Sequence, residues 1–133
     1  MDSGPALVSI LRQGPYLIAS IHTALDDTQL LRFQRDLIDR IGQHRSRGVI
    51  IDVAALDVLD SFGAHTLRNV AEMARLRGAV TTIVGIQPDV AFAMVELGID
   101  TGSVPTALDL EEALEYLARV DGASAPGRQG RVP

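Results

Sequence analysis

The sequence predicts an α/β fold, a mixed and mostly parallel sheet covered by about four helices. Three observations predict it. Two short apolar runs, residues 6–11 and 16–21, flank the turn signal Gln13-Gly14-Pro15 and read as an antiparallel pair. The run Val49-Ile50-Ile51-Asp52-Val53 is nearly continuous and β-branched, and Val80-Thr81-Thr82-Ile83-Val84 repeats the pattern. Strands of this kind are buried on both faces and need helices above and below them. Between and after these runs the apolar residues recur at helical spacing, which implies parallel crossovers.

Each element follows in order. From Asp26 the period changes: Leu30, Phe33, Leu37 and Ile41 recur at steps of three and four, with Arg32, Arg35, Asp36, Asp39 and Arg40 between them. This is an amphipathic helix entered at Asp26 or Asp27 and expected to end near Gly48, after Arg45 and Arg47. A second helix starts at about Ser61, turns Leu67, Val70, Ala71 and Ala74 inward, and closes on Gly78. Pro88 suits the first turn of a third helix, which Gly98 closes after Leu97. The last helix begins near Asp109, whose spacing to Glu112 resembles a capping box, and runs to about Arg119. Residues 1–4 are a polar lead-in. Residues 121–133 are rich in Gly, Ala, Ser, Pro and Arg without an apolar period, so a folded domain over 1–120 with a disordered tail over 121–133 is expected.

Composition fits one domain and excludes much chemistry. The 133 residues are 47% hydrophobic with three Phe, two Tyr and no Trp, so the core is aliphatic. A chain of this size buries roughly two thirds of its unfolded surface, enough for one core without staples. There is no Cys, which removes disulfides, zinc–thiolate sites and thiol catalysis. All 12 basic residues are Arg. Without Lys, P-loop, Schiff-base and Lys-dependent receiver chemistry are absent. Against 17 Asp and Glu the net charge is −5, which disfavours nucleic acid. Neither a signal segment nor an apolar stretch approaching the ~20 residues of a membrane span is visible, so a cytoplasmic location without membrane contact is expected.

In mixed sheets, function tends to sit at the carboxyl ends of the strands. That rule points to Asp52-Val53-Ala54-Ala55-Leu56-Asp57-Val58-Leu59-Asp60-Ser61-Phe62-Gly63, which leaves the most buried strand and opens the second helix. Ser61 stands where orphan N–H groups and the positive helix end favour negative charge. On position alone, helix capping by Asp60 or Ser61 is the simpler account, since these are the preferred residue types at a helix start. The apolar Val58, Leu59 and Phe62 around the serine, however, suit a docking face. Asp52, Asp57 and Asp60 already supply negative charge, to which a phosphate adds about −1.5 to −2.

Other residues are weaker. His65 offers a phosphocarrier histidine but reads as an ordinary first-turn residue. His22 and His44 have no second ligand at metal spacing. Asp52 mimics a receiver aspartate without the Lys that chemistry requires. Glu111, Glu112 and Glu115 read as a solvated helix face, and no glycine-rich phosphate cradle follows the first strand.

The run Val58-Leu59-Asp60-Ser61-Phe62-Gly63 resembles the phosphoacceptor segment of the STAS family, the antagonists of anti-sigma factors. The stretch Gly85-Ile-Gln-Pro-Asp-Val-Ala-Phe-Ala-Met-Val-Glu-Leu-Gly98 is similar to the third strand-to-helix segment of its stressosome branch. The likeness covers about residues 5–120 and, within that branch, points to the small RsbS-type scaffold. In RsbR-type relatives a second phosphorylatable Thr precedes the Gly of the Gly-Ile-x-Pro turn; here Val84 stands there. The resemblance implies a single STAS domain that is a non-enzymatic phosphoprotein of a bacterial stress response, with Ser61 as phosphoacceptor and no cofactor or metal. Asp57, Val58, Leu59, Asp60, Phe62 and Gly63 would meet its partners. Those partners would be RsbR-type STAS paralogues and an RsbT-type serine kinase, in a homodimer and a large hetero-oligomer. The alternatives are a free-standing antagonist of an anti-sigma kinase and a phosphocarrier using His65.

Overall fold

The computed structural model describes residues 7–124. The lead-in at 1–4 and the tail from 125 onward lie outside the described residues. The chain first forms a hairpin, β1 (Val8–Gln13) against β2 (Tyr16–Ile21), with Gln13 opposite Tyr16 and Val8 opposite Ile21. Gly14, at φ 59°, makes the turn in a conformation that costs glycine little. The first strand lies two residues later than the apolar run suggested. It is an edge strand, so Arg12 and Gln13 can face solvent, and the short turn fixes the register.

Helix α1 (Asp27–His44) starts with a reciprocal capping box. The Asp26 carboxylate accepts the Gln29 N–H at 2.7 Å, and the Gln29 side chain accepts the Asp26 N–H at 2.8 Å. Leu30, Phe33, Leu37 and Ile41 form its buried stripe, as the spacing predicts. Its end differs from the expectation. The helix stops at His44 because Arg45 turns left-handed (φ 50°), and Gly48 opens the next strand instead of closing the helix. A side chain at Gly48 would press on Tyr16 and Leu117 at about 3 Å, so glycine there serves packing.

The remaining parallel strands are β3 (Gly48–Asp52), β4 (Val80–Val84) and a two-residue β5 (Thr106–Ala107). The five strands lie in chain order, β1-β2-β3-β4-β5, and only the first pair is antiparallel. The sequence signalled no β5, since two residues carry no periodicity.

Helix α2 (Ser61–Leu76) follows β3 and turns Ala64, Leu67, Val70 and Ala74 inward; Ala71 is only half-buried. Its close falls at Arg77 and Gly78, the latter at φ 90°. Helix α3 (Pro88–Leu97) has the expected bounds, with Pro at its first turn and Gly98 left-handed at its end. It buries only Val90 and Met94, leaving Phe92 71% and Val95 80% exposed. Helix α4 (Leu110–Ser124) runs five residues past the expected end, so the boundary placed at 120 falls inside it. Asp121 lies on that extension, paired with Arg47 at 2.6 Å. At its start the Asp109 carboxylate accepts the Glu112 N–H, but Glu112 reaches back to the Leu108 N–H, one residue earlier than the expected box.

The sheet separates two aliphatic cores. Leu17, Ala19, Ile21, Val49, Ile51 and Ile83 face one side with Phe33, Leu37 and Ile41 of α1 and Leu67, Val70 and Ala74 of α2. Ile18, Ile50 and Val84 face the other side with Ala113 and Leu117 of α4. Strand β3 therefore contributes to both, which is why its sequence is apolar at consecutive positions.

Candidate functional site

The loop leaving β3 is held to the loop leaving β4 by backbone. The Val53 N–H donates to Val84 O at 3.0 Å, and the Gln87 side-chain amide donates to Ala54 O at 2.7 Å. The Asp52 carboxylate accepts the Ala54 N–H at 2.9 Å and tightens the same turn. Gly85 completes the clamp. At φ 83° it is left-handed, and a Cβ there would lie 2.8 Å from the Ala54 Cβ.

From this clamp the loop alternates anchors and exposed groups. Val53 and Leu56 are buried and Leu59 is packed against the core, while Asp57, Val58, Asp60 and Ser61 face outward. Val58 is 62% exposed, although it is aliphatic. Phe62 is half-buried and Gly63 is buried, its missing Cβ leaving room for Leu59 at 3.0 Å. Of the residues the sequence assigned to partner contact, Asp57, Val58 and Asp60 are exposed. Leu59 and Phe62 present part of their surface, and Gly63 belongs to the frame.

Asp60 is the N-cap of α2: its carboxylate accepts the Gly63 N–H at 2.8 Å, and its carbonyl accepts the Ala64 N–H. This separates the two readings of the Asp-Ser pair. The capping role belongs to Asp60, and Ser61 is the first helical residue, exposed, with a hydroxyl that makes no hydrogen bond among the described residues. An anionic group on that hydroxyl would stand at the positive helix end, near the unbonded N–H groups of the first turn.

His65 lies one turn further on, exposed, with Nδ1 3.2 Å from an Arg68 guanidinium nitrogen. Arginine can only donate, so Nδ1 is the acceptor in this contact. Arg68 also donates to the carbonyl and carboxylate of Asp100, fastening α2 to the loop after α3. His22 approaches Ser9 through Nε2, and His44 sits in the last turn of α1. Among the described residues no group of three or more His, Asp or Glu is placed to hold a metal, and no helix is long and apolar enough to cross a membrane.

Sequence reasoning missed Gln87. Its signal was its place between Gly85 and Pro88, where a polar residue ends one element and begins another. It carries no side-chain cap bond to α3 and reaches across to the β3 loop instead.

A five-strand mixed sheet with an exposed Asp-Ser pair at the start of its second helix defines a class. The family model described as the STAS domain matches residues 8–113, and the chain belongs to that family. Among curated relatives it is 33% identical over 91 residues to the RsbT co-antagonist protein RsbRA of Bacillus subtilis, covering 68% of this chain and 33% of that protein. The chain thus spans about a third of the length of the RsbR-named relatives it matches. Among solved structures it is similar to RsbS of Moorella thermoacetica, with a TM-score of 0.73 and 31% identity over 86% of this chain and 97% of that one. It is also similar to a chain in a structure describing the molecular architecture of the stressosome. There the TM-score is 0.67 and the identity 29%, over 84% of this chain and 97% of the other. The resemblance first drawn from the residues around Ser61 and Gly85 is therefore to the right family and branch.

Proposed function

We propose that this STAS domain is a scaffold and antagonist switched by phosphorylation of Ser61, which binds STAS paralogues of the RsbR type and a serine kinase of the RsbT type. One observation carries the reading: Asp60 caps α2, so the Ser61 hydroxyl has no structural task and stands in solvent. The exposed Val58 beside it supplies apolar contact, and Asp57 and Asp60 supply charge. Adding a phosphate leaves the fold in place, because the exposed hydroxyl makes no hydrogen bond among the described residues. It makes the face strongly anionic, and that charge must be desolvated when a partner covers it.

The test is phosphorylation with the RsbT-type kinase and ATP, with sites mapped by mass spectrometry. Label should concentrate on Ser61 and vanish in Ser61→Ala; undiminished labelling of that variant would overturn the assignment. Kinase affinity should fall for Ser61→Asp and stay near the parent for Ser61→Ala. In light scattering, mixing with an RsbR-type paralogue should give a particle far larger than either component.

A further inference from the structure

The far end of the sheet carries a second constellation that the phosphoserine reading does not use. At the amino ends of β3 and β4, a cavity of about 430 Å³ opens between the end of α1, the end of α2 and the last turns of α4. Such a volume holds a small organic molecule. Three arginines are among the residues that line it, Arg45, Arg47 and Arg77, against one carboxylate residue, Asp121. In a chain of net charge −5, that is a local reversal of sign.

The arginines are not consumed by structure. Arg47 pairs with Asp121 at 2.6 Å, but the side chains of Arg45 and Arg77 make no hydrogen bond or ion pair among the described residues. Both sit at helix ends, where only their backbone N–H groups serve as caps, to Ile41 O and to Ala74 O. Favourable placement near the helix dipoles would explain positive charge there, and it is indifferent to where the guanidiniums point.

Two local features go beyond that explanation. Arg45 occupies a left-handed conformation, φ 50°, at a C-cap where glycine would sit without strain. An arginine is kept at a position whose backbone disfavours any side chain. Gly42 stands in the last turn of α1, where glycine still weakens a helix relative to alanine. A Cβ at Gly42 would overlap the Arg77 guanidinium, so the glycine leaves the room in which that group lies over α1. Both choices cost helix stability, and both put an arginine among the residues that line the cavity. The Tyr16 phenol is held above its usual range, by burial first and then by the Asp121 carboxylate, with Arg47 opposing.

We infer that this basic cavity is a binding site for a phosphorylated small molecule, a ligand bearing a pyrophosphate or similarly clustered oxyanion. Arginine forks match such oxygens two at a time, and three forks around one cavity suit a multiply charged group better than a single carboxylate. The ligand competes with Asp121 for Arg47 and meets Arg45 and Arg77 without displacing a side-chain partner among the described residues. Among the described residues no aromatic ring lines the cavity, so the anionic group, and not a stacked base, is what it would recognise.

The test uses the full chain, inorganic pyrophosphate and isothermal titration at constant ionic strength, with sulfate as competitor. Saturable binding that sulfate displaces only weakly is expected. Arg77→Ser should weaken it at least about tenfold, a change of one decade in Kd. Two further variants separate a ligand site from helix capping. Gly42→Ala removes no charge and displaces only the flexible end of Arg77. Arg45→Gly relieves the left-handed strain. Each should raise or preserve the melting temperature while weakening pyrophosphate binding. Ser61→Asp, at the opposite end of the sheet, should leave the affinity unchanged. Equal binding by the parent, Gly42→Ala and Arg77→Ser would overturn the proposal, as would competition by sulfate at equal concentration. Absence of saturable binding in the parent would overturn it too.

Discussion

The parallel strands have two ends, and the groups around them differ in sign and in what holds them. At the carboxyl ends stand Asp52, Asp57 and Asp60, on loops clamped to each other by backbone bonds and by Gln87. At the amino ends stand Arg45, Arg47 and Arg77; the backbones of Arg45 and Arg77 close helices, and their side chains make no hydrogen bond or ion pair among the described residues. The first end is built around a rigid frame that presents one neutral hydroxyl. The second is built around charges that the frame does not need. An anion attached covalently at Ser61 therefore meets like charge, whereas an anion from solution is drawn to the opposite end.

The clamp at the carboxyl end is where the largest effect should appear. Gly85→Val forces a β-branched residue into the left-handed region and drives its Cβ onto Ala54. A loss of roughly 2–4 kcal/mol is expected, read as a lower midpoint in urea unfolding. A change below about 0.5 kcal/mol would mean the two loops are not locked, and the contrast between the ends would fail.

Asp60→Ala comes next. It removes the cap on the Gly63 N–H and should cost about 1 kcal/mol. Ser61→Ala should cost within about 0.5 kcal/mol, since its hydroxyl makes no hydrogen bond among the described residues. Thermal unfolding of the two variants side by side checks the division of labour. If Ser61→Ala were the more damaging, the serine would be the structural residue and its availability to a kinase would be in question.

At the amino end, Asp121→Asn should cost under about 1 kcal/mol, because the Arg47 side chain it pairs with is about half exposed. The loss should shrink further in 0.5 M salt, within a Debye length of roughly 4 Å. Cutting the chain after Val120 should do little more than this. A fall of many degrees in melting temperature would show the end of α4 to be part of the core.

Much of this contrast was legible in the sequence, but unevenly. The bounds of β2, β4 and α3 followed from apolar runs closed by Gly14, Gly85, Pro88 and Gly98. The start of α1 followed from Asp26, since capping chemistry is local. The end of α1 did not, because an arginine in a left-handed conformation looks like any other last-turn arginine. Gly48 misled for the complementary reason: its signal was a helix stop, while its cause is the approach of Tyr16 and Leu117 from distant elements. Ser61 was singled out as a candidate from its neighbours along the chain. The basic cavity was not, because residues 45, 47, 77 and 121 converge only once three elements are in place.

The finest test of the comparison is Ser61→Asp. A carboxylate in the first turn of α2 gains roughly 0.3–1 kcal/mol from the helix end. Repulsion from the exposed Asp57 and Asp60 offsets it in water, where unit charges 4 Å apart interact by about 1 kcal/mol. The two effects are of similar size and opposite sign, so the net change in stability should be within about 0.5 kcal/mol of zero. Salt separates them. The repulsion acts between solvent-exposed side chains and is screened first, while the dipole interaction with the adjacent N–H groups acts at shorter range. The variant should therefore gain slightly on the parent as ionic strength rises from about 0.05 to 0.5 M, over which the Debye length falls from roughly 14 to 4 Å. Paired thermal melts across that range supply the measurement. A variant that loses ground with added salt would mean that Asp57 and Asp60 do not act on position 61. The switch would then need its charge contrast from the partner alone.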